Sequence, residues 1–310
     1  MRSPEINIVP AGALMLLCLL WAVASLRSDL LPGSLPQSDS SPLVNQASIL
    51  AVFAIVAAAT AFLRKANWPR GRSLLGAALI GVGLLALPAF LVELAKGLVD
   101  NSTRVALFSL VPVFAVVLEP YLGSASQTPQ RGGLAAALVA VAGTALIFPL
   151  DLPRASASAA AFGGVMIAVA SVAAANCTAV KIAQSQTTLS LFGFASIAAG
   201  SAAILLTIAG LSIEPHAWPV AHINAWAIPD LLALVLLFWL LRRMSAVRMT
   251  TRFLIAPLMA NLIALTFLRP GVQFRAWLGL LLIALGSGWL LLPPAGEPEQ
   301  AGSPLSIHQR

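Results

Sequence analysis

The amino-acid sequence predicts an all-α integral membrane protein of ten transmembrane helices, arranged as two inverted five-helix repeats. Three observations predict this fold class. The 310-residue chain is 59% hydrophobic and 9% charged, with a mean hydropathy of +0.92, so it lacks the polar residues that a water-exposed surface needs. Its apolar runs are continuous, as in membrane helices, whereas membrane strands alternate. A short pattern, F-x-x-x-P-x-x-A, occurs once in each half of the chain.

Uninterrupted apolar runs place the ten helices. A helix needs roughly 20 apolar residues to cross a bilayer, so this chain has room for about ten. The first run follows Arg2, its only preceding basic residue, and is interpreted as an uncleaved helix, not a signal peptide. The eighth run is the weakest, because its purely apolar stretch is short. The predicted helices are 6–26, 46–63, 73–95, 104–121, 132–149, 159–181, 188–212, 229–246, 250–268 and 276–293.

The recurring pattern indicates an internal duplication. It covers residues 108–115, which include Pro112, and residues 253–260, which include Pro257. Each copy is followed by an apolar stretch that contains a glycine suited to helix packing, Gly143 or Gly286. Five helices per repeat is an odd number, so the two repeats insert with opposite orientations. The predicted organisation is a first repeat over 1–154, a second over 155–293 and a disordered cytoplasmic tail over 294–310.

The basic residues predict the orientation of the chain. With the N-terminus inside, the inner loops hold twice as many Lys and Arg residues as the outer loops, and Arg252 is counted among the inner ones. This distribution places both termini in the cytoplasm and the protein in the cell inner (plasma) membrane. It also explains the net charge of +7 better than a nucleic-acid partner does. The expected partners are the lipid bilayer, a small-molecule substrate and, as one option, a second copy in a homodimer.

Prolines within helices predict a cavity. Pro112 and Pro257 each remove a backbone hydrogen bond, which a bilayer tolerates only against protein or a wet cavity; a plain packing kink is the alternative. Asn261 lies one turn beyond Pro257 and is predicted either to line the cavity or to bond a neighbouring helix. Glu119 shares the face of Pro112 and is a candidate for proton coupling or cation binding, the alternative being contact with the membrane interface.

Other polar and aromatic side chains are further candidates for the substrate cavity. Glu93 and Lys96 are three residues apart, so they form either a gate at the cavity mouth or a simple ion pair. Asn176 is a candidate in the sixth helix, although small polar residues also serve packing. Trp21 and Trp239 lie away from the helix ends and would suit an amphipathic substrate, with packing as the alternative.

Motifs of other protein classes are not found. The sequence has no G-x-x-x-x-G-K phosphate-binding loop, no G-x-S-x-G elbow and no metalloprotease motif, so we expect neither an ATP-driven pump nor an enzyme, and no cofactor. His216 and His222 lie in one predicted loop without a third ligand, which favours a solvated loop over a metal site. Cys18 and Cys177 fall in apolar runs and are predicted to act as small hydrophobic residues.

Four segments resemble one family of transporters. They are "LLWAVASLRSDLLP", "STRVALFSLVPVFAVVLEPYLG", "SAVRMTTRFLIAPLMANLIALTFL" and "WLGLLLIALGSGWLLL", and their order and spacing are similar to helices one, four, nine and ten of the EamA-like branch of the drug/metabolite transporter superfamily. The resemblance covers nearly the whole chain. It implies ten helices in two inverted repeats, a central substrate cavity and alternating access. Ala125 and Pro270 stand where the family often has Glu.

The sequence therefore predicts a secondary transporter, a permease for a small organic metabolite or amphipathic compound, with export favoured over import. A flippase for lipids or lipid-linked sugars is one alternative, since the superfamily includes such members. A degenerate family member that serves as a membrane scaffold or sensor without transport is another, and the missing Glu residues are its support.

Overall fold

The computed structural model describes residues 8–26, 41–123, 132–185, 190–213, 227–267 and 274–292, and all its regular elements there are helices. Each interrupted helix is given one label over its whole length. The helices are α1 (Ile8–Ser25), α2 (Pro42–Leu63), α3 (Arg72–Leu94), α4 (Asn101–Leu122), α5 (Gly133–Ile147), α6 (Ser156–Ser185), α7 (Leu191–Ile213), α8 (Ala227–Leu240), α9 (Ala246–Phe267) and α10 (Phe274–Leu291).

Seven of the described helices are long and apolar enough to cross a membrane: α2, α3, α4, α6, α7, α9 and α10. The remaining three, α1, α5 and α8, are shorter apolar helices. Many large apolar side chains are exposed along them, for example Ile55, Leu79, Ile167 and Ile204. Such a surface is suited to lipid and not to water. The helices therefore indicate a membrane protein and confirm the all-α class.

The largest difference between a predicted and an observed bound is at the end of α8, and it is accompanied by an earlier start of α9. The eighth helix was predicted over 229–246, but α8 ends at Leu240. A turn follows, and α9 begins at Ala246 and not at 250, with the Ser245 hydroxyl accepting a hydrogen bond from the Arg248 N–H at 3.4 Å. A serine in this position is a favourable N-cap. The basic segment before the ninth helix is therefore partly helical.

Helix α3 contains a π-helical turn, Val82–Ala86, ahead of Pro88. The proline has no N–H to donate to the carbonyl one turn earlier, and the wider turn accommodates this loss. The N–H of Leu87 instead donates to the carbonyl of Val82, five residues back. From α6, the Ser171 hydroxyl donates to the Gly83 carbonyl at 2.9 Å. A neighbouring helix thus stabilises the irregular backbone at this point.

Helices α4 and α9 are both interrupted within their first half. α4 breaks at Ser109 and Leu110, just before Pro112, and α9 breaks at Thr251. At both breaks a hydroxyl donates to a nearby backbone carbonyl: Ser109 to Ala106 at 2.6 Å, and Thr251 to Arg248 at 2.6 Å. These bonds satisfy carbonyl groups near the interruption. The two copies of the sequence pattern therefore lie in the two helices with this interruption.

The helices pack in a regular arrangement around the interior. α2 packs mainly against α7, and α5 against α10. α6 lies against α3 and α4, while α1 lies against α8 and α9. α3 also packs against α7, and further contacts join α2 to α8, α4 to α5, α9 to α10, and α9 to both α4 and α6.

The predicted packing role of Gly143 and Gly286 is confirmed at the contact between α5 and α10. A Cβ added at Gly143 would lie 2.6 Å from the carbonyl oxygen of Gly279, and one added at Gly286 would lie 2.5 Å from that of Ala136. Only a residue without a side chain lets the two backbones come this close.

Replacing Gly286 with Ala is expected to destabilise the protein by roughly 1–3 kcal/mol, because the added methyl group meets backbone atoms that cannot turn away. Gly288→Ala is the matched control on the same helix, since a Cβ there meets nothing within 4 Å. Thermal unfolding of the purified protein in detergent would compare the two variants. Equal melting temperatures for both would contradict the packing role of Gly286.

Candidate functional site

Arg252 is the largest fully buried side chain among the described residues, with 1% of its surface exposed. It opens the second part of α9, immediately after the break at Thr251. It was counted among the basic residues of the inner side, and the structure shows that it is not a loop residue, because α9 begins six residues earlier and carries this side chain into the helix packing. A charged side chain buried within a membrane helix is rare, which makes Arg252 a candidate functional residue.

One backbone oxygen and one side-chain oxygen accept hydrogen bonds from the guanidinium group. Its Nη1 donates to the Met249 carbonyl at 3.0 Å, and its Nη2 donates to Asn176 Oδ1 at 3.1 Å. The amide of Asn176 in turn donates from Nδ2 to the Val172 carbonyl of α6 at 2.7 Å. Because Asn176 is fixed to its own helix, it holds the guanidinium of α9 in one orientation.

Two aromatic rings lie against the guanidinium. Its Cζ lies 4.8 Å from the ring centre of Phe253 and 5.4 Å from that of Trp21 in α1. Phe253 also stacks on Phe108 of α4, with ring centres 5.9 Å apart, and lies 6.1 Å from Trp21. Phe108 and Phe253 are the first residues of the two pattern copies. The repeated pattern therefore places its two phenylalanines in mutual contact, and one of them, Phe253, lies against Arg252.

The positive charge of Arg252 is not neutralised by any acidic side chain in the described ranges. A guanidinium has five N–H donors, and the two hydrogen bonds leave the Nε–H and one N–H on each Nη. Cation–π contacts supply about 0.5–2 kcal/mol each, whereas an uncompensated buried ion carries a penalty of several kcal/mol. The site is thus a buried cation with unused donors and no counter-charge of its own.

The structure brings two of the predicted site residues, Trp21 and Asn176, to Arg252. Pro112 is buried at the start of the second part of α4, four residues after Phe108. Pro257 lies in α9 one turn beyond Phe253. The amide of Asn261 donates to the Pro257 carbonyl at 2.8 Å, so in this structure its bond is within its own helix.

The hydrogen bonds and ring contacts of Arg252 do not include the other predicted site residues. Glu93 and Lys96 form the predicted i,i+3 ion pair at 3.0 Å, with the Lys96 side chain 58% exposed. Glu119 is half-buried, and its carboxylate is close enough to Cys177 of α6 to interact with it electrostatically. Trp239 packs against the guanidinium of Arg243, whose Cζ lies 5.5 Å from the ring centre. Each of these roles stays a prediction.

Arg252, Phe253 and Phe108 were missed as site residues when the sequence was analysed. A usable signal was the N-cap at Ser245, which starts α9 early enough to place Arg252 well inside a helix.

His216 and His222 lie outside the described residues. Within the described ranges, no group of three or more His, Cys, Asp or Glu side chains could hold a metal ion. A surface pocket of about 530 Å³ lies elsewhere, at the end of α2, lined by Phe62, Lys65 and Trp68 among others.

Comparison with known proteins gives a fold but no function. No known protein family matches the sequence, and no curated protein matches it either. A solved crystal structure, described only as that of a protein, superposes with a TM-score of 0.69 over 92% of this chain and 98% of its own. The two sequences are 15% identical. At that level the likeness establishes the shared fold alone.

Proposed function

We propose that this protein is a secondary transporter that moves a small organic compound across the cell inner membrane by alternating access. In this proposal all ten helices cross the bilayer, as two inverted five-helix repeats with both termini in the cytoplasm. The likeness of the four sequence segments to EamA-like transporters supports it. The observation that carries it is the pattern in which the helices pack.

The main packing pairs repeat when every helix number is shifted by five, whereas the contacts of α9 with α6 and α5 have no counterpart of similar extent among the described residues. The pairs α2–α7 and α5–α10 each join a helix to its own counterpart. The contacts of α6 with α3 and α4 have their counterparts in the contacts of α1 with α8 and α9. Likewise α3–α7 corresponds to α8–α2, and α4–α5 to α9–α10. Such exchange is what a two-fold axis between two five-helix repeats would produce.

The stacked pair of phenylalanines supports the same axis. Phe108 is the eighth residue of α4 and Phe253 the eighth of α9. Each therefore lies about 10 Å along its helix. In the proposed topology the two helices run in opposite directions, so equivalent residues that touch must lie where the axis passes, near the middle of the bilayer. Transporters with inverted repeats commonly have their substrate site there, between interrupted helices.

A membrane scaffold without transport accounts less well for Arg252. A scaffold has no use for a buried, uncompensated cation in its interior, because apolar residues of similar volume are as stable or more stable there. A site that binds a ligand, by contrast, needs unused donors. The Arg252 site therefore favours transport over the scaffold.

Alternating access can be tested with single cysteines at Val116 and Asn261, which correspond to each other in the two pattern copies. The native Cys18 and Cys177, both buried, are first replaced by Ala. In the proposed topology a membrane-impermeant thiol reagent labels position 116 from the cytoplasmic side and position 261 from the outside. A compound that stabilises the protein in a thermal-shift screen should change the two labelling rates in opposite directions.

Cysteine at Leu138, an exposed apolar position of α5, serves as the control, since its labelling should not respond to the compound. Rates at 116 and 261 that stay low and unchanged, or that rise and fall together, would contradict alternating access. The screen covers amino acids, nucleosides, sugars, cationic drugs and organic acids.

A further inference from the structure

We propose that Arg252 is the anion-binding group of the transport site, and that the substrates are small organic anions: a carboxylate or similar oxyanion on an apolar body about the size of an aromatic ring. This inference rests on the proposed transporter function and names the class of compound carried. The juxtaposition behind it is a buried guanidinium with unused donors, held by Asn176 and walled by Trp21 and Phe253.

Charge balance points to an anion. The guanidinium is 1% exposed, and the described residues offer it no carboxylate within salt-bridge distance. The two hydrogen bonds go to neutral oxygens, those of Met249 and Asn176. A neutral or cationic substrate would leave the buried charge as it is or repel it. An anionic group would supply the missing counter-charge and accept the unused N–H donors.

The donor geometry points to an oxyanion with at least two oxygens. The Nε–H has no partner, and each Nη retains an N–H, so unused donors lie along the planar edge of the group. Arginine binds carboxylates through two parallel N–H donors of this fork, which lysine cannot do. Asn176 leaves that function intact, because it uses a single donor and fixes the plane of the guanidinium.

The aromatic side chains indicate the rest of the substrate. Trp21 of α1 and Phe253 of α9 present ring surfaces to the guanidinium, and Phe108 of α4 stacks on Phe253. Ligand-binding sites in proteins commonly pair apolar and aromatic side chains with a few fixed polar groups that orient the ligand. A substrate with a charged end and a flat apolar body matches both parts of the site.

The burial of Arg252 indicates how the anion enters. Trp21 belongs to α1 and Arg252 to α9, and the two helices pack against each other. The ring of Trp21 lies over the guanidinium and helps to cover it. An anion therefore reaches Arg252 only when α1 and α9 separate locally, and the movement required is the opening step of alternating access.

The test is direct binding of matched probes to the purified full-length protein. Phenylacetate and benzenesulfonate are the anions, and phenylacetamide and benzenesulfonamide are neutral compounds of nearly the same shape. We expect both anions to bind and to raise the melting temperature, measured by calorimetry and thermal shift at neutral pH. The neutral probes should bind much more weakly. Equal binding of anion and amide, or no binding of either anion at millimolar concentration, would overturn the proposal.

Three variants identify the group responsible. Arg252→Gln should weaken anion binding by roughly 100-fold, as expected for the loss of a charged hydrogen-bond partner. Arg275→Gln, the same change at an exposed position of α10, should leave it unaffected. Asn176→Asp places a carboxylate against Arg252, so it should raise the melting temperature of the ligand-free protein and abolish anion binding. If Arg252→Gln fails to fold, Asn176→Asp alone decides, since anion binding that persists in that folded variant overturns the proposal.

Two further experiments distinguish the proposed anion site from a lipid-binding site and from the transport proposal itself. A lipid phosphate could also occupy the site, so anion binding is compared in nanodiscs of phosphatidylcholine and of phosphatidylglycerol; competition by the anionic lipid would replace the soluble anion with a headgroup and overturn the proposed substrate class. The cysteine labelling of positions 116 and 261 tests transport independently. Opposite labelling changes without anion binding would reject the anion site and support the transporter. Anion binding without opposite labelling changes would support the anion site and contradict alternating access.

Discussion

Replacing Asn176 with Ala is expected to lower the free energy of unfolding by roughly 1.5–3 kcal/mol, because it leaves a further N–H donor of a buried cation without an acceptor. Arg252→Met is expected to leave the stability unchanged or raise it, since it removes the uncompensated charge and keeps most of the side-chain volume. The measurement is reversible unfolding in mixed micelles by SDS titration. Both substitutions remove the same hydrogen bond of 3.1 Å, yet only Asn176→Ala should lower the free energy of unfolding.

The double variant makes this prediction sharper. If Asn176 stabilises the protein through Arg252, then Asn176→Ala should have little effect once Arg252 is Met, and the coupling energy should fall within the range of about 0.5–3 kcal/mol seen for residues in contact. Thr178→Ala is the control on the same helix, because its hydroxyl bonds only the Ala174 carbonyl of α6. An Asn176→Ala loss of the same size in both backgrounds would show that Asn176 acts through packing and not through the cation.

Gly81→Ala should be the most damaging change at a glycine of α3. A Cβ at this position would overlap the backbone of Ala198 in α7, including its carbonyl oxygen and, at 2.7 Å, its Cα. Both groups belong to helix backbones, and the Ser201 hydroxyl binds the two helices together nearby by donating to the Ala78 carbonyl at 3.0 Å. Separation of the helices would therefore be needed, with a loss of about 3 kcal/mol in the free energy of unfolding.

Gly76→Ala provides the comparison five residues earlier on the same helix. A Cβ there meets Ile182 Cδ1 at 3.0 Å, which is the end of a flexible side chain that can rotate away. Ala also favours a helix over Gly by about 1 kcal/mol. The control should therefore match or exceed the wild-type melting temperature in detergent. A Gly81→Ala protein as stable as Gly76→Ala would show that α3 and α7 separate more easily than their backbone contact indicates.

Apolar runs were sufficient to place most helices, because a bilayer requires long uninterrupted hydrophobic segments and the sequence shows where they occur. The ends were harder to predict. Pro42 was excluded from the second helix, although α2 begins there with Ser41 as its N-cap residue, and proline is well accommodated in a first turn. Hydrophobicity alone does not contain this information, since helix ends are determined by caps and turns.

The candidate site was predicted only in part, because an arginine in a basic segment is usually a loop residue. Arg252 belongs to a segment, "RRMSAVRMTTR", whose charge is typical of a cytoplasmic loop. Only the packing of α1 and α6 around it shows that one of these arginines is buried. Asn176 and Trp21 could be chosen because polar and large aromatic residues are conspicuous within apolar runs. Their common partner, Arg252, could not be chosen in this way, since local composition does not show which distant helices are in contact.

The contact between Phe108 and Phe253 has a mechanical consequence for the proposed transporter. When two inverted repeats exchange conformations, every other contact is replaced by its counterpart elsewhere in the protein. A contact on the proposed two-fold axis would be its own counterpart, so we expect this stack, with 5.9 Å between ring centres, to be kept in both the inward-open and the outward-open state. In the proposed transporter, therefore, the two rings would form the pivot about which the two repeats rotate, with Arg252 next to it.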